Sequence, residues 1–194
     1  MCQRNPLAVA AAIVLASLAA AAQAPSEPAA YTVVTQFGAT GAVIRTTSRL
    51  GAKVRVDVGD PRNASARPTR TLYDLQTLES LSWVPSDASV PCTRSTFAPG
   101  AWQDPFEGAA DLAMTDVKQT GVETIHGVPT VILESEKKPG FRLWVDPKTG
   151  LMWKAQFTPS GSSTKMTYFE VTDVSLAPPP AATFDVPSFC TRTR

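Results

Sequence analysis

Histidine and cysteine are scarce in this chain: its 194 residues include one histidine, His126, and three cysteines. The sequence also has no His-Glu-x-x-His, no Cys-x-x-Cys, no Gly-x-Ser-x-Gly elbow and no phosphate-binding glycine loop. These shortages argue against the common metal, thiol and serine-nucleophile sites. We therefore expect no catalytic residue, no metal and no cofactor.

His126 lies between two predicted strands, beside Ile125 and Gly127, and is interpreted as a solvated turn residue. As a general base it would need an orienting carboxylate, and Glu123 is the nearest in sequence. An enzyme would have to depend on this histidine or on a pair of carboxylates that the fold brings together. An enzymatic function is therefore only the third hypothesis.

An excess of charge of one sign is also missing. The formal net charge is +1, and residues 25–194 hold 17 basic and 17 acidic side chains. No basic stripe or acidic tail points to nucleic acid or to an anionic membrane surface as a partner.

Only one long stretch of the sequence is apolar, residues 7–22. It follows Arg4, is rich in alanine and leads to Ala22-Gln23-Ala24, a pattern typical of signal-peptide cleavage. A transmembrane anchor is the alternative, but about 16 residues is short of the roughly 20 that a bilayer span needs. We expect residues 1–24 to be a cleaved signal peptide. Residues 25–194 would then be a single domain, periplasmic or secreted, with no membrane anchor.

Two cysteines, Cys92 and Cys190, remain once the signal peptide has removed Cys2. An even pair in an exported chain predicts a disulfide bond, because such compartments are oxidising. The bond would close a loop of about 100 residues and stabilise the fold by about 4–5 kcal/mol, less any strain.

Short alternating patterns dominate the rest of the chain. In residues 53–58 three valines alternate with Lys53, Arg55 and Asp57, as in a strand with one buried face. Consecutive strands of this length should pair antiparallel into a curved sheet. The pattern predicts about ten strands, drawn from eleven runs at residues 31–37, 42–49, 53–58, 70–74, 78–84, 92–97, 115–125, 128–137, 140–146, 150–158 and 164–175.

One helix start is well marked, at Asp104-Pro105-Phe106-Glu107. Asp104 is suited to cap the helix, Pro105 suits its first position, and Glu107 is placed to reach back to the cap. The pattern predicts a short helix over residues 104–115. We therefore expect a mainly β fold, a curved antiparallel sheet that forms a half-open barrel with one or two short covering helices.

Bulky aromatic side chains recur along the predicted strands and loops. A closed small barrel would use them as core, whereas a half-open barrel would leave some of them lining a cavity for an apolar ligand. The candidate cavity-lining residues are Trp83, Phe97, Trp102, Phe106, Trp144, Trp153, Phe157 and Tyr168.

Several motifs, in this order, resemble the periplasmic lipoprotein-carrier (LolA/LolB-like) superfamily. They are Arg-Leu-Gly-Ala-Lys-Val-Arg-Val at 49–56, Tyr-Asp-Leu-Gln-Thr at 73–77, Gly-Val-Glu-Thr-Ile-His-Gly-Val-Pro-Thr at 121–130, Trp-Val-Asp-Pro-Lys-Thr-Gly at 144–150, and Phe-Asp-Val-Pro at 184–187. The resemblance implies an incomplete antiparallel barrel, a mouth covered by helices, and a cavity that accepts acyl chains. It carries over no catalytic residue. The chain departs from the family in its scarcity of helix and in its predicted disulfide.

The leading hypothesis is an exported, non-enzymatic protein that binds a lipid, an acyl chain or another apolar ligand in the concave face of its sheet. The alternative is a structural or regulatory module that docks another envelope protein through its sheet face or edge. A cavity favours the first, and a filled core with an apolar surface patch favours the second.

Overall fold

The computed structural model describes residues 28–38, 40–63, 65–107 and 116–191. The predicted signal peptide (residues 1–24) and residues 108–115 of the predicted helix lie outside this part of the chain. Across the described ranges, no helix has the length and apolar character to cross a bilayer.

Eleven strands form one antiparallel sheet. They are β1 (Ala30–Phe37), β2 (Val43–Leu50), β3 (Lys53–Gly59), β4 (Thr69–Asp74), β5 (Glu79–Trp83), β6 (Thr93–Thr96), β7 (Val117–Ile125), β8 (Val128–Ser135), β9 (Phe141–Val145), β10 (Met152–Phe157) and β11 (Met166–Ser175). Their order in the sheet is β6-β5-β4-β3-β2-β1-β11-β10-β9-β8-β7.

The sheet is open, because its two edge strands, β6 and β7, are not hydrogen-bonded to each other. Apart from β6 and β7, all strands that are consecutive in sequence are neighbours in the sheet. β1 also pairs with β11, which joins the two halves of the sheet. The predicted fold class, a curved half-open barrel with little helix, is confirmed. All the predicted strands are present, with ends that differ by no more than a few residues.

The hairpin between β7 and β8 illustrates how local sequence sets this topology. Its two turn residues, His126 and Gly127, have φ angles of 47° and 82°. Two positive φ values in a two-residue turn match the twist of antiparallel strands, and glycine takes such a value without steric cost. The turn therefore fixes the register in which Ile125 pairs with Val128.

Residues paired across neighbouring antiparallel strands share a face of the sheet. Val33 pairs with Thr47, and Thr47 pairs with Val56, so the three side chains lie on one face, termed the inner face. Tyr31 and Val54 lie on the same face, and both are fully buried. The alternation seen in the sequence thus places one side of each strand in the core.

The end of the chain packs against the opposite, outer face. A 3-10 helix (Ala181–Phe184) and a single helical turn, α1 (Ser188–Thr191), follow β11. Arg55 of β3 donates from Nη1 to the carbonyl oxygen of Thr183 at 2.9 Å. Cys190 in α1 is bonded to Cys92, which directly precedes β6. The predicted disulfide is thus present and ties the tail to one edge of the sheet.

Asp57 holds an ionic cluster on this outer face. Its carboxylate accepts hydrogen bonds from Arg55 Nε at 3.0 Å and from Arg70 Nε at 2.7 Å. Burial alone would raise the pKa of Asp57, but the hydrogen bonds and charges of Arg55 and Arg70 outweigh it, so its pKa lies below the usual 3.8. Because Arg55 also binds the 3-10 helix, the cluster connects β3, β4 and the tail.

We expect the Cys92→Ser/Cys190→Ser double variant to be less stable to unfolding by about 4–5 kcal/mol, less any strain in the bond, because the unfolded chain regains the freedom of a long loop. Urea unfolding under oxidising conditions measures the difference. Reduction of the unaltered protein should lower its stability to that of the double variant, and reductant should leave the variant unchanged. Equal stability of the oxidised and reduced protein would contradict a stabilising bridge.

The lowered pKa of Asp57 predicts a pH-dependent stability. A carboxyl whose pKa is lower in the folded than in the unfolded state adds stability at pH values above its unfolded pKa and loses it as pH falls through the folded pKa. We expect Asp57→Asn to be less stable than the parent at neutral pH, and the difference to shrink below pH 3.8. Urea unfolding across this pH range is the measurement, and a difference independent of pH would refute the assignment.

Candidate ligand-binding site

Residues 101–107, termed the crossing segment, lie over the inner face of the sheet. The ring of Trp102 packs against Tyr73 of β4, with centroids 5.2 Å apart. Farther along, the amide of Met152 at the start of β10 donates to the carbonyl oxygen of Pro105 at 3.0 Å. The crossing segment therefore contacts both halves of the sheet.

Asp104 anchors this segment. Its side chain is fully buried. Oδ2 accepts hydrogen bonds from Tyr31 Oη at 2.6 Å and from Arg49 Nη1 at 2.7 Å. A buried carboxylate is tolerated only where a charge and hydrogen bonds replace the lost water. Because Tyr31 lies on β1 and Arg49 on β2, the carboxylate fixes the crossing segment to the middle of the sheet.

Residues 104–107, where the sequence predicts a helix start, form a turn. The amide of Phe106 donates to Asp104 Oδ1 at 3.0 Å, and the amide of Glu107 donates to the carbonyl oxygen of Asp104 at 3.1 Å. These two bonds close the turn, because an aspartate side chain readily binds the backbone two residues on. Phe106 is buried and packs on Tyr31, with ring centroids 4.9 Å apart. The remainder of the predicted helix lies outside the described residues.

A cavity of about 150 Å³ lies beside the crossing segment. It is bounded by the inner face of β1, β2, β10 and β11 and by the crossing segment itself. Most of its wall is apolar, and a few polar groups interrupt it. The lining residues are Thr35, Phe37, Arg45, Thr47, Gln103, Pro105, Met152, Tyr168, Phe169 and Val171.

Three aromatic side chains form part of this wall. Phe37 lies within 6.1 Å of Tyr168 and 5.9 Å of Phe169, measured between ring centroids. A β-bulge explains why two consecutive residues both reach the cavity. Ala155 pairs with Phe169 and Gln156 with Thr167, which makes Tyr168 the extra residue. Tyr168 remains 50% exposed, so it stands at the opening.

Arg45 is the charged residue of the wall. Its guanidinium lies 5.7 Å from the centre of the Trp102 ring, a cation–π contact. A second cavity, of about 160 Å³, shares Arg45 and Gln103 with the first and is otherwise lined by Tyr73, Phe97, Ala101 and Trp102. The guanidinium therefore lies between two hollows with aromatic walls.

The eight aromatic residues singled out from the sequence do not form one cluster. Tyr168 lines the first cavity, and Phe97 and Trp102 line the second. Phe106 is buried in the core beneath the crossing segment. Phe157 is half-buried near the end of β10.

Three tryptophans lie elsewhere. Trp83 pairs with Arg70, so it is buried on the outer face of β5. Trp144 is buried and donates from Nε1 to Glu123 Oε2 at 2.7 Å. Trp153 packs against His126, with ring centroids 5.9 Å apart. None of the three borders either cavity.

Sequence reasoning missed Phe37, Phe169 and Arg45 as cavity residues. The position of Phe37 could have been predicted from the alternation in β1. Phe37 lies six residues after Tyr31, so the two side chains point to the same face of the strand. Phe169 could not be assigned without knowledge of the bulge at Tyr168, which reverses the side-chain alternation.

His126 lies outside the cavity, with its side chain 47% exposed. Its Nε2 is 3.2 Å from Glu170 Oε1, so the neighbouring carboxylate is Glu170 and not the expected Glu123. Glu170 is also 3.6 Å from the Nζ of Lys154. His126 thus belongs to an exposed surface network and lines neither of the two cavities.

The fold of this chain is similar to that of several solved structures. The chain aligns with an uncharacterized conserved protein from Thermus thermophilus at a TM-score of 0.54 and 12% identity, over 83% of this chain and 87% of that one. It aligns with the MucA/MucB complex of Pseudomonas aeruginosa at a TM-score of 0.52 and 15% identity, over 84% of this chain and 58% of that one. A LolA superfamily protein from Nitrosomonas europaea aligns over 86% of this chain and 94% of its own, with 13% identity and a TM-score of 0.37.

At such low identities the similarity concerns the fold alone. The fold is similar to that of MucB and of the Thermus thermophilus protein, in agreement with the incomplete antiparallel barrel that the sequence resemblance implied. No protein-family model and no curated protein matches the sequence.

We expect Asp104→Asn to destabilise the protein by about 3–5 kcal/mol, because it breaks the ion pair between the fully buried Asp104 and the largely buried Arg49. Glu136→Gln is the control. It also removes one acidic charge, but from an exposed ion pair with Lys118, and should change stability by about 0.5 kcal/mol or less. Urea unfolding measures both. Equal effects of the two substitutions would contradict the anchoring role of Asp104.

Proposed function

We propose that the protein binds an apolar or amphiphilic ligand in the cavity between the crossing segment and the inner face of the sheet. The observation that carries the proposal is the cavity itself, with its mainly apolar wall and the partly exposed Tyr168 at its opening. Binding sites for small ligands are typically concave and apolar, with a few polar groups to orient the ligand. The LolA-like fold supports a binding role over a catalytic one.

The size of the cavity limits the ligand. About 150 Å³ equals the volume of an engineered apolar cavity that takes up benzene and is about half the lower end of the range for drug-sized ligands, roughly 300 Å³. As it stands, the cavity holds one ring or the end of one acyl chain. Several acyl chains together would require the crossing segment to move.

The proposed setting is the periplasm or the extracellular space. The signal-peptide pattern in residues 1–24 and the Cys92–Cys190 bond support it, because disulfides persist in oxidising compartments. The proposed ligand contacts are Phe37, Tyr168 and Phe169, with Phe97 and Trp102 in the adjoining hollow.

Thr47 and Thr46 offer a matched pair of variants for testing the site. Thr47 is buried and lines the cavity, whereas its neighbour Thr46 lies on the opposite face, where it pairs with Asp57. Thr47→Leu should fill part of the cavity and weaken binding of a fluorescent fatty acid at least roughly tenfold, the equivalent of about two excluded methylenes. Thr46→Leu should leave the affinity unchanged.

Fluorescence titration gives the affinities, and native mass spectrometry of gently purified protein reports any ligand already bound. Both variants should show the unfolding cooperativity of the parent, so that a loss of binding is not a loss of fold. If the unaltered protein takes up neither probe nor lipid, or if both leucine variants weaken binding equally, the proposed site is wrong.

Docking of an envelope protein is the second candidate. All four residues of β6 are exposed at one edge of the sheet, and Val122 on the other edge strand is 74% exposed. Such edges are able to pair with an added strand. The structurally similar MucB is found in complex with MucA, which supports a protein partner for this chain as well. Failure of the unaltered protein to bind any probe would make docking the better proposal.

A further inference from the structure

Arg45 differs from the other partly buried arginines in the strands of the sheet. Arg49 is paired with Asp104, Arg55 and Arg70 with Asp57, and Arg142 with Glu134. Arg45 makes no ion pair with any described residue, and its Nε is buried without a hydrogen-bond partner in the described part of the chain. Although the residue as a whole is only half-buried, a buried donor atom such as this Nε is costly unless another group replaces the water that it has lost.

Within the described part of the chain, no anionic side chain borders Arg45 to replace that water. Among the described residues, neither cavity that it borders has an aspartate or a glutamate in its wall. Its strand partners on the inner face, Thr35 and Val58, are uncharged. The stacking on Trp102 orients the guanidinium but supplies no hydrogen-bond acceptor.

Arg45 also lies beside the apolar part of the site. Thr35 and Thr47 are buried next to it and offer hydroxyl groups, and Phe37 follows on the same face of β1. The wall therefore changes from cationic and hydroxyl-bearing at Arg45 to aromatic at the opening. Such an arrangement fits a molecule with an anionic head and an apolar body.

We propose that Arg45 binds the carboxylate of a single-chain amphiphile whose hydrocarbon part contacts Phe37, Tyr168 and Phe169. A guanidinium recognises a carboxylate with two parallel hydrogen bonds, and these are strongest where water is excluded. This inference rests on the proposed function, because it names the chemical class of ligand for the same cavity.

Three probes separate the contributions of head and chain: octanoate, octanol and acetate, titrated at neutral pH by calorimetry. The carboxylate of octanoate is ionised at this pH. The unaltered protein should bind octanoate at least roughly tenfold more tightly than octanol, since a hydrogen bond to a charged group is worth that much or more. Acetate alone should bind far more weakly than octanoate, because it lacks the chain.

Arg45→Gln should abolish most of the preference for octanoate over octanol, and an unfolding transition as cooperative as that of the parent shows that the variant is folded. Arg45→Lys keeps the charge and should retain part of the preference for octanoate. Arg94→Gln is the control, because Arg94 lies exposed on β6 and its loss changes the net charge equally. It should behave as the parent does.

The outcomes divide clearly. Equal binding of octanoate and octanol by the unaltered protein overturns the role of Arg45 and leaves the apolar site standing. The same follows if Arg45→Gln and Arg94→Gln have equal effects, since the preference then arises from net charge. Acetate binding as tight as that of octanoate would indicate an anion site without a chain site and overturn the amphiphile. Absence of binding by all three probes overturns the proposed function itself.

Discussion

The buried carboxylate of Asp104 is the interaction on which the arrangement of the site depends. It joins the crossing segment to Tyr31 and Arg49 on two neighbouring strands. Breaking a buried ion pair of this kind is strongly destabilising. With the segment fixed, Pro105 and Gln103 complete the wall of the cavity, and Trp102 is positioned beside Arg45. The cavity is thus a consequence of where one loop is held.

The outer face of the half-open sheet is covered in part by the end of the chain. The ionic cluster at Asp57, the 3-10 helix and the disulfide at Cys190 hold the tail against β3 and the edge near β6. Such a tether restrains one half of the sheet from the outside while the crossing segment restrains it from the inside. Space for a ligand remains between the inner face of the sheet and the crossing segment.

Much of the fold could be predicted from local chemistry. Alternating side chains gave the strands, and turn residues such as Gly127 gave the hairpins, because both depend on residues close in sequence. The cysteine pair was predictable from its number and compartment. The position of the crossing segment was not, since the contact between Tyr31 and Asp104 joins residues 73 apart in sequence.

The site was harder to predict than the fold for the same reason. Aromatic residues alone did not distinguish Tyr168 at the cavity from Trp83 on the outer face, because register decides which face a side chain occupies. The bulge beside Phe169 depends on pairing with β10 and leaves no local signal. Arg45 was overlooked because the absence of a charge partner becomes visible only in three dimensions.

Methyl NMR of the protein during titration with octanoate tests the central claim most directly. The account predicts that the methyl resonances of Met152 and Val171, which lie in the cavity wall, shift in a saturable manner. The exposed methyl groups of Val122 and Leu176 should remain unchanged. Saturable shifts confined to those surface groups, or none at all, would contradict a ligand site under the crossing segment.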